Sequence, residues 1–145
     1  MEDRSTAMEI SQKMHIEVPK KKVAKSGKEV FDFLSDIKNF ETLMPSNIDK
    51  FEVLDEKTFK FALKGMPEIT LRLKEQIPHE KVVLGAASDK LPFTLTGDIT
   101  ALGDQESEVA LNFEGEFNAM MAMMIKSPIT NFMQTLSSNL DKIGQ

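Results

Sequence analysis

The chain has 145 residues, 28% of them charged and 41% apolar, with a formal net charge of −5. That length suits one domain with a substantial core, and the composition is that of a soluble globular protein. Zero cysteines exclude a disulfide framework, thiolate metal sites and a cysteine nucleophile, and the acidic balance argues against general nucleic-acid binding.

No apolar run reaches bilayer-spanning length, and the N-terminus lacks the apolar segment of a secretory signal. A cytoplasmic location without stable membrane insertion is therefore expected. Residues 1–7 are polar and are expected to be a disordered tail ahead of one domain over 8–145, with Met8 as an alternative start. The ten Phe and ten Met come with no Trp or Tyr, so the large apolar side chains carry almost no polar handles. A binding site built from them recognises shape and dryness.

In chain order, Met8 to Val18 alternates apolar and polar residues with period two, the pattern of a half-buried strand that ends at Pro19. Ser26 and Glu29 form a capping-box signature ahead of the helical stripe Val30, Phe31, Phe33 and Leu34. Asp36 and Ile37 through Leu43 predict a second short helix, stopped before Met44-Pro45 because a residue preceding proline disfavours the helical region.

Six more strands follow, separated by turn signals. Ile48 to Leu54 is the first. Phe59, Phe61 and Leu63 alternate with Lys60 and Lys64, up to a turn at Gly65-Met66-Pro67. Ile69, Leu71 and Leu73 alternate with Thr70, Arg72 and Lys74, up to Pro78-His79-Glu80. Val82 to Ala87 leads to Ser88-Asp89-Lys90. Phe93, Leu95, Ile99 and Ala101 precede Gly103-Asp104, and Val109, Leu111, Phe113 and Phe117 close the series. Short links between like segments predict sequential antiparallel pairing. Gly97 and Gly115 fall on the apolar parity, where a missing side chain lets a sheet bend or another element come close.

Asn118 to Lys142 predicts one long amphipathic helix. Met121, Ile125, Ile129, Phe132 and Leu136 follow a 4-4-3-4 spacing and should face the sheet. Met120 and Met124 lie off that stripe, so they either pack against the short helices or form an exposed patch. The methionine cluster at 120–124 reads equally as an adaptable pocket mouth or as filling for an irregular core. Pro128 should kink the helix, or start a fresh segment with Ser127 as its cap.

The order of strand, two short helices, six strands and a long C-terminal helix resembles the START-like (SRPBCC) superfamily, which includes polyketide cyclase/dehydrase-type and lipid-transfer proteins. The likeness is carried by the Glu29-Val30-Phe31-Asp32-Phe33-Leu34-Ser35-Asp36 helix, the Phe40 to Pro45 segment and Lys126-Ser127-Pro128, and it spans the chain from Met8. It implies an α+β helix-grip fold: a seven-stranded curved antiparallel sheet around the C-terminal helix, with two short helices after the first strand. Members act on or bind many hydrophobic molecules and share no fixed catalytic set, so function has to come from the site.

Between helix and sheet a cavity is expected, lined by Phe61, Leu63, Leu71, Leu73, Phe93, Leu95, Phe113, Met121, Ile125 and Phe132, with the roughly 300–1,000 Å³ usual for ligand pockets. The leading expectation is a non-catalytic binder or carrier of a small hydrophobic molecule such as a lipid, quinone or polyketide-like compound, with no cofactor. By parity Glu75 also points inward, where a dry setting would raise its pKa and suit it to acid–base work. That makes a cyclase/dehydrase-like enzyme the alternative, and a protein-interaction module without ligand a third. His15 and Glu17 share a strand face, but three convergent metal ligands are hard to assemble, so no metal is expected. The lysines at 20, 21, 22, 25 and 28 read as a solvated loop, and Glu106, Glu108, Glu114 and Glu116 as an acidic outer strip.

Overall fold

The computed structural model describes residues 12–66, 68–87 and 93–143. The expected tail at 1–7, the start of the first strand from Met8, and the turn positions Pro67 and Ser88-Asp89-Lys90 lie outside the described residues.

Eight strands form one antiparallel sheet: β1 (Gln12–Glu17), β2 (Lys21–Val23), β3 (Ile48–Val53), β4 (Thr58–Leu63), β5 (Ile69–Ile77), β6 (Lys81–Ala86), β7 (Phe93–Gly103) and β8 (Glu106–Phe117). Their order across the sheet is β1-β8-β7-β6-β5-β4-β3, so every neighbour from β3 to β8 is a sequential hairpin partner, as the short links imply. The last strand folds back beside the first, with Met14 opposite Gly115 and Ile16 opposite Phe113.

The sheet is seven strands wide, but its β1 edge is made of two pieces. β2 also pairs with β8, with Lys21 opposite Val109 and Val23 opposite Ser107. Part of the lysine stretch is therefore strand, a correction to the loop expected there. Pro19 interrupts the edge because it has no N–H to donate. Val23 on the inner side is buried while Lys22 is exposed, and that alternation holds the short strand in place.

Helix α1 (Gly27–Ser35) begins at Ser26 with a reciprocal box: Glu29 N–H donates to Ser26 Oγ at 3.1 Å, and Ser26 N–H donates to Glu29 Oε1 at 3.3 Å. A cap of this kind contributes about 1 kcal/mol. A 3-10 turn at Ile37–Asn39 and helix α2 (Phe40–Leu43) follow, ending at an extended Met44 before Pro45. Helix α3 (Ala119–Asn139) is capped by Asn118, whose Oδ1 accepts from Met121 N–H at 2.8 Å. It runs through Pro128 as one element, so Ser127 is not a cap, and a 3-10 turn at Leu140–Lys142 ends it.

α3 lies against β8 and β1, with its far end beside α2. Asn139 Nδ2 donates to the Leu43 carbonyl at 2.9 Å, and Lys21 pairs with Asp141 at 2.9 Å. Stacked rings tie the layers together: Phe40 on Phe59 at 5.4 Å between centroids, Phe59 on Phe61 at 6.1 Å, and Phe61 on Phe132 of α3 at 5.1 Å. Each such pair adds roughly 0.5–1.5 kcal/mol to the burial of its rings.

Candidate functional site

The inner faces of β4, β5, β7 and β8 and the first four turns of α3 surround an apolar cavity. Its wall is Phe61, Met66, Ile69, Leu71, Phe93, Leu95, Phe113, Phe117, Met121, Ile125, Ile129 and Phe132. Two aromatic stacks form part of this wall. Phe61 and Phe132 make one; Phe93 on Phe113 at 5.1 Å, continued by Phe117 at 6.2 Å from Phe113, makes the other. Gly115 allows this crowding: a Cβ there would stand 2.7 Å from Phe93 Cβ and 2.8 Å from the Phe117 ring.

The enclosed volume is about 40 Å³. This corrects the expectation of a roomy pocket, since ligand sites usually hold roughly 300–1,000 Å³. The phenylalanines occupy the space that strand and helix spacing alone would leave open. Eight of the ten side chains expected on the wall are there. Leu63 is buried but turns to a different groove, and Leu73 is buried without reaching the cavity. Ile129, Ile69 and Phe117 were legible from their inward parity or helix stripe. Met66 was not, because it sits in a turn where no periodicity applies.

Glu75 does not face the cavity. A β-bulge falls between Leu73 and Glu75, so that Leu73 pairs with Leu84 but Glu75 pairs with Val83 on the outer face. The extra residue reverses the parity of everything after it, and Glu75 is exposed, as is Ile77. Lys74, at the bulge, lays its stem over Gly85, where a Cβ would stand 2.9 Å from it.

Among the described residues the cavity wall carries no titratable group. The resolved pKa shifts lie on exposed side chains outside it; Glu68, for example, is held below the ordinary carboxylate range by the Lys50 ammonium that donates to it at 3.0 Å. His15 Nδ1 stands 3.3 Å from Glu114 Oε2 on the exposed sheet face, not beside Glu17 in a ligand set. Among the described residues no three His, Asp or Glu side chains converge as a metal site.

A second depression, about 340 Å³, opens to solvent between the turn after β4 and the middle of α3. Leu63, Met66, Pro128 and Phe132 form its apolar side, with Lys64, Ser127 and Asn131 exposed at its edge. Met66 and Phe132 line both spaces, so two side chains separate groove from cavity. Met120, Met123 and Met124 lie beside Met121 but point to solvent, with 74%, 83% and 64% of their surface exposed. Of the two readings for the off-stripe methionines, the exposed patch is the one realised. Among the described residues no helix is long and apolar enough to cross a membrane.

A curved antiparallel sheet closed by a C-terminal helix, with two short helices after the first strand, is the helix-grip fold of START-like proteins. Solved structures share it across nearly the whole chain. Norcoclaurine synthase from Thalictrum flavum, in complex with dopamine and hydroxybenzaldehyde, superposes with a TM-score of 0.69 at 12% identity, over 98% of this chain and 91% of that one. The Zhui aromatase/cyclase from a Streptomyces species gives 0.65 at 11% identity, over 90% and 95%. The protein XoxI from Bacillus cereus gives 0.68 at 10% identity, over 88% and 93%. Identities this low establish the fold and no activity. No family model and no curated relative matches the sequence.

Proposed function

We propose that this protein binds a small hydrophobic molecule between α3 and the sheet, without acting on it chemically. The observation that carries the reading is the wall itself: twelve side chains among the described residues, all of them apolar. Burying apolar surface there stabilises a complex by about 25 cal/mol per Å² before association costs. With about 40 Å³ of space, a ligand enters only if wall side chains move. Accommodating a ligand requires Met66, Met121 and Phe132 to shift, and thioether side chains re-pack at little cost. The likeness to a synthase holding dopamine and hydroxybenzaldehyde supports a fold able to take small organic molecules, of which a lipid, quinone or polyketide-like compound fits this wall best.

Against the cyclase/dehydrase route stands the exposed position of Glu75, together with the lack of an acid or base on the wall among the described residues. The reading without ligand, a protein-interaction module, is favoured by one observation, the exposed methionine patch.

Titration with the neutral fluorescent probe N-phenylnaphthylamine decides between them. The native protein should bind it saturably, and Ile125→Trp, which fills the cavity, should weaken binding about tenfold or more. Overpacking costs roughly 1–3 kcal/mol, so circular dichroism must show the variant folded. No saturable binding by the native protein, or undiminished binding by a folded Ile125→Trp, overturns the proposal.

A further inference from the structure

We infer that the groove beside the turn after β4 seats the charged end of a monoanionic amphipath, a carboxylate on an apolar chain or ring, with Lys64 as its counter-ion. This rests on the apolar-ligand reading above and adds a headgroup to it.

Charge is the first observation. The groove is lined by one charged side chain, Lys64, and by no carboxylate. Among the described residues no carboxylate pairs with Lys64, a state it shares with Lys57, Lys74 and Lys126; what sets Lys64 apart is its place on the lining of a groove. The neighbouring α3 adds to the contrast, because from Asn118 to Leu140 the sequence has no Asp or Glu and a single Lys, Lys126. In a chain with a net charge of −5, the described lining of this groove carries one positive charge and no negative one. One ammonium matches one negative charge.

Shape is the second. At about 340 Å³ the groove lies within the usual range for small-molecule sites, which the cavity alone does not reach. Hydroxyl and amide groups of Ser127 and Asn131 at the edge can donate to a carboxylate beside Lys64. Behind them Leu63, Pro128 and Phe132 continue the apolar surface inward.

Connection is the third. Met66 and Phe132 belong to both spaces, so displacing the flexible Met66 joins groove to cavity. The backbone of that turn need not move. Lys64 N–H donates to the Asn47 carbonyl at 3.0 Å, Met66 N–H donates to the Leu63 carbonyl at 2.9 Å, and Gly65 takes the φ of 82° that the turn demands. A head held at Lys64 then directs its tail past Met66 toward the aromatic stacks.

Calorimetric titration of the full chain with decanoate and with decanol tests this at neutral pH. Decanoate should bind more tightly than decanol, by about fivefold for a half-exposed ion pair, and the preference should shrink with added salt. Lys64→Gln should abolish the preference and leave decanol affinity unchanged. Lys64→Glu should reverse it, and Lys57→Gln, on the distant turn before β4, should change neither. Equal affinity for the two probes, or a Lys64→Gln loss that falls equally on both, overturns the Lys64 assignment while leaving the cavity reading intact. Failure of both probes to bind overturns the two together.

Discussion

The more apolar half of α3 is the less buried one: seven of the ten residues from Ala119 to Pro128 are apolar, against four of the eleven from Ile129 to Asn139. In the second half Ile129, Phe132, Met133 and Leu136 are buried, and Met133 has no exposed surface at all. In the first half three of the four methionines face solvent, and only Met121 and Ile125 turn toward the cavity. The second half is wedged between sheet and α2; the first covers an interior space, and among the described residues nothing covers its outer side. The second half is held in the core, and the first is packed on its inner side alone. Binding, on the reading above, takes place where the packing is weaker.

The comparison can be broken most forcefully at Met133. Met133→Ala should cost about 2–5 kcal/mol in denaturant unfolding, through lost burial and the cavity it leaves. A loss under about 1 kcal/mol would mean the second half is as yielding as the first. A smaller effect is expected at the cap of the first half. Asn118→Ala removes the acceptor for Met121 N–H and should cost about 1 kcal/mol. Its amide exchange should quicken in the first turns of α3 only; acceleration extending past Pro128 would show that the two halves open as one unit. Smallest of all, Met123→Ala, at a position 83% exposed, should stay within about 0.5 kcal/mol of the native protein. A larger loss in thermal or chemical unfolding would reveal a contact that covers the patch.

Local chemistry made much of the architecture legible. The Ser26–Glu29 box, the stop at Met44-Pro45, the turns at Pro78-His79-Glu80 and Gly103-Asp104 and the stripe from Ile125 to Leu136 depend on residues a few positions apart, and each appears where its pattern places it. The edge strand β2 was hidden because three residues are too few to show a period. Glu75 was misplaced for a related reason. Alternation assumes an unbroken pleat, whereas a bulge is an agreement between two strands, made here by β5 with β6.

The sequence by itself determined which residues face inward in most elements, because side-chain direction follows from backbone period, a property of neighbours along the chain. Only the tertiary structure decided how much room those residues leave, and which of them meet. The volume of the interior depends on ring orientations across strands distant in sequence, such as Phe61 with Phe132 and Phe93 with Phe113. The approach of Lys64 to Ser127 and Asn131 around one groove likewise exists only once α3 has docked, since more than sixty positions separate them along the chain.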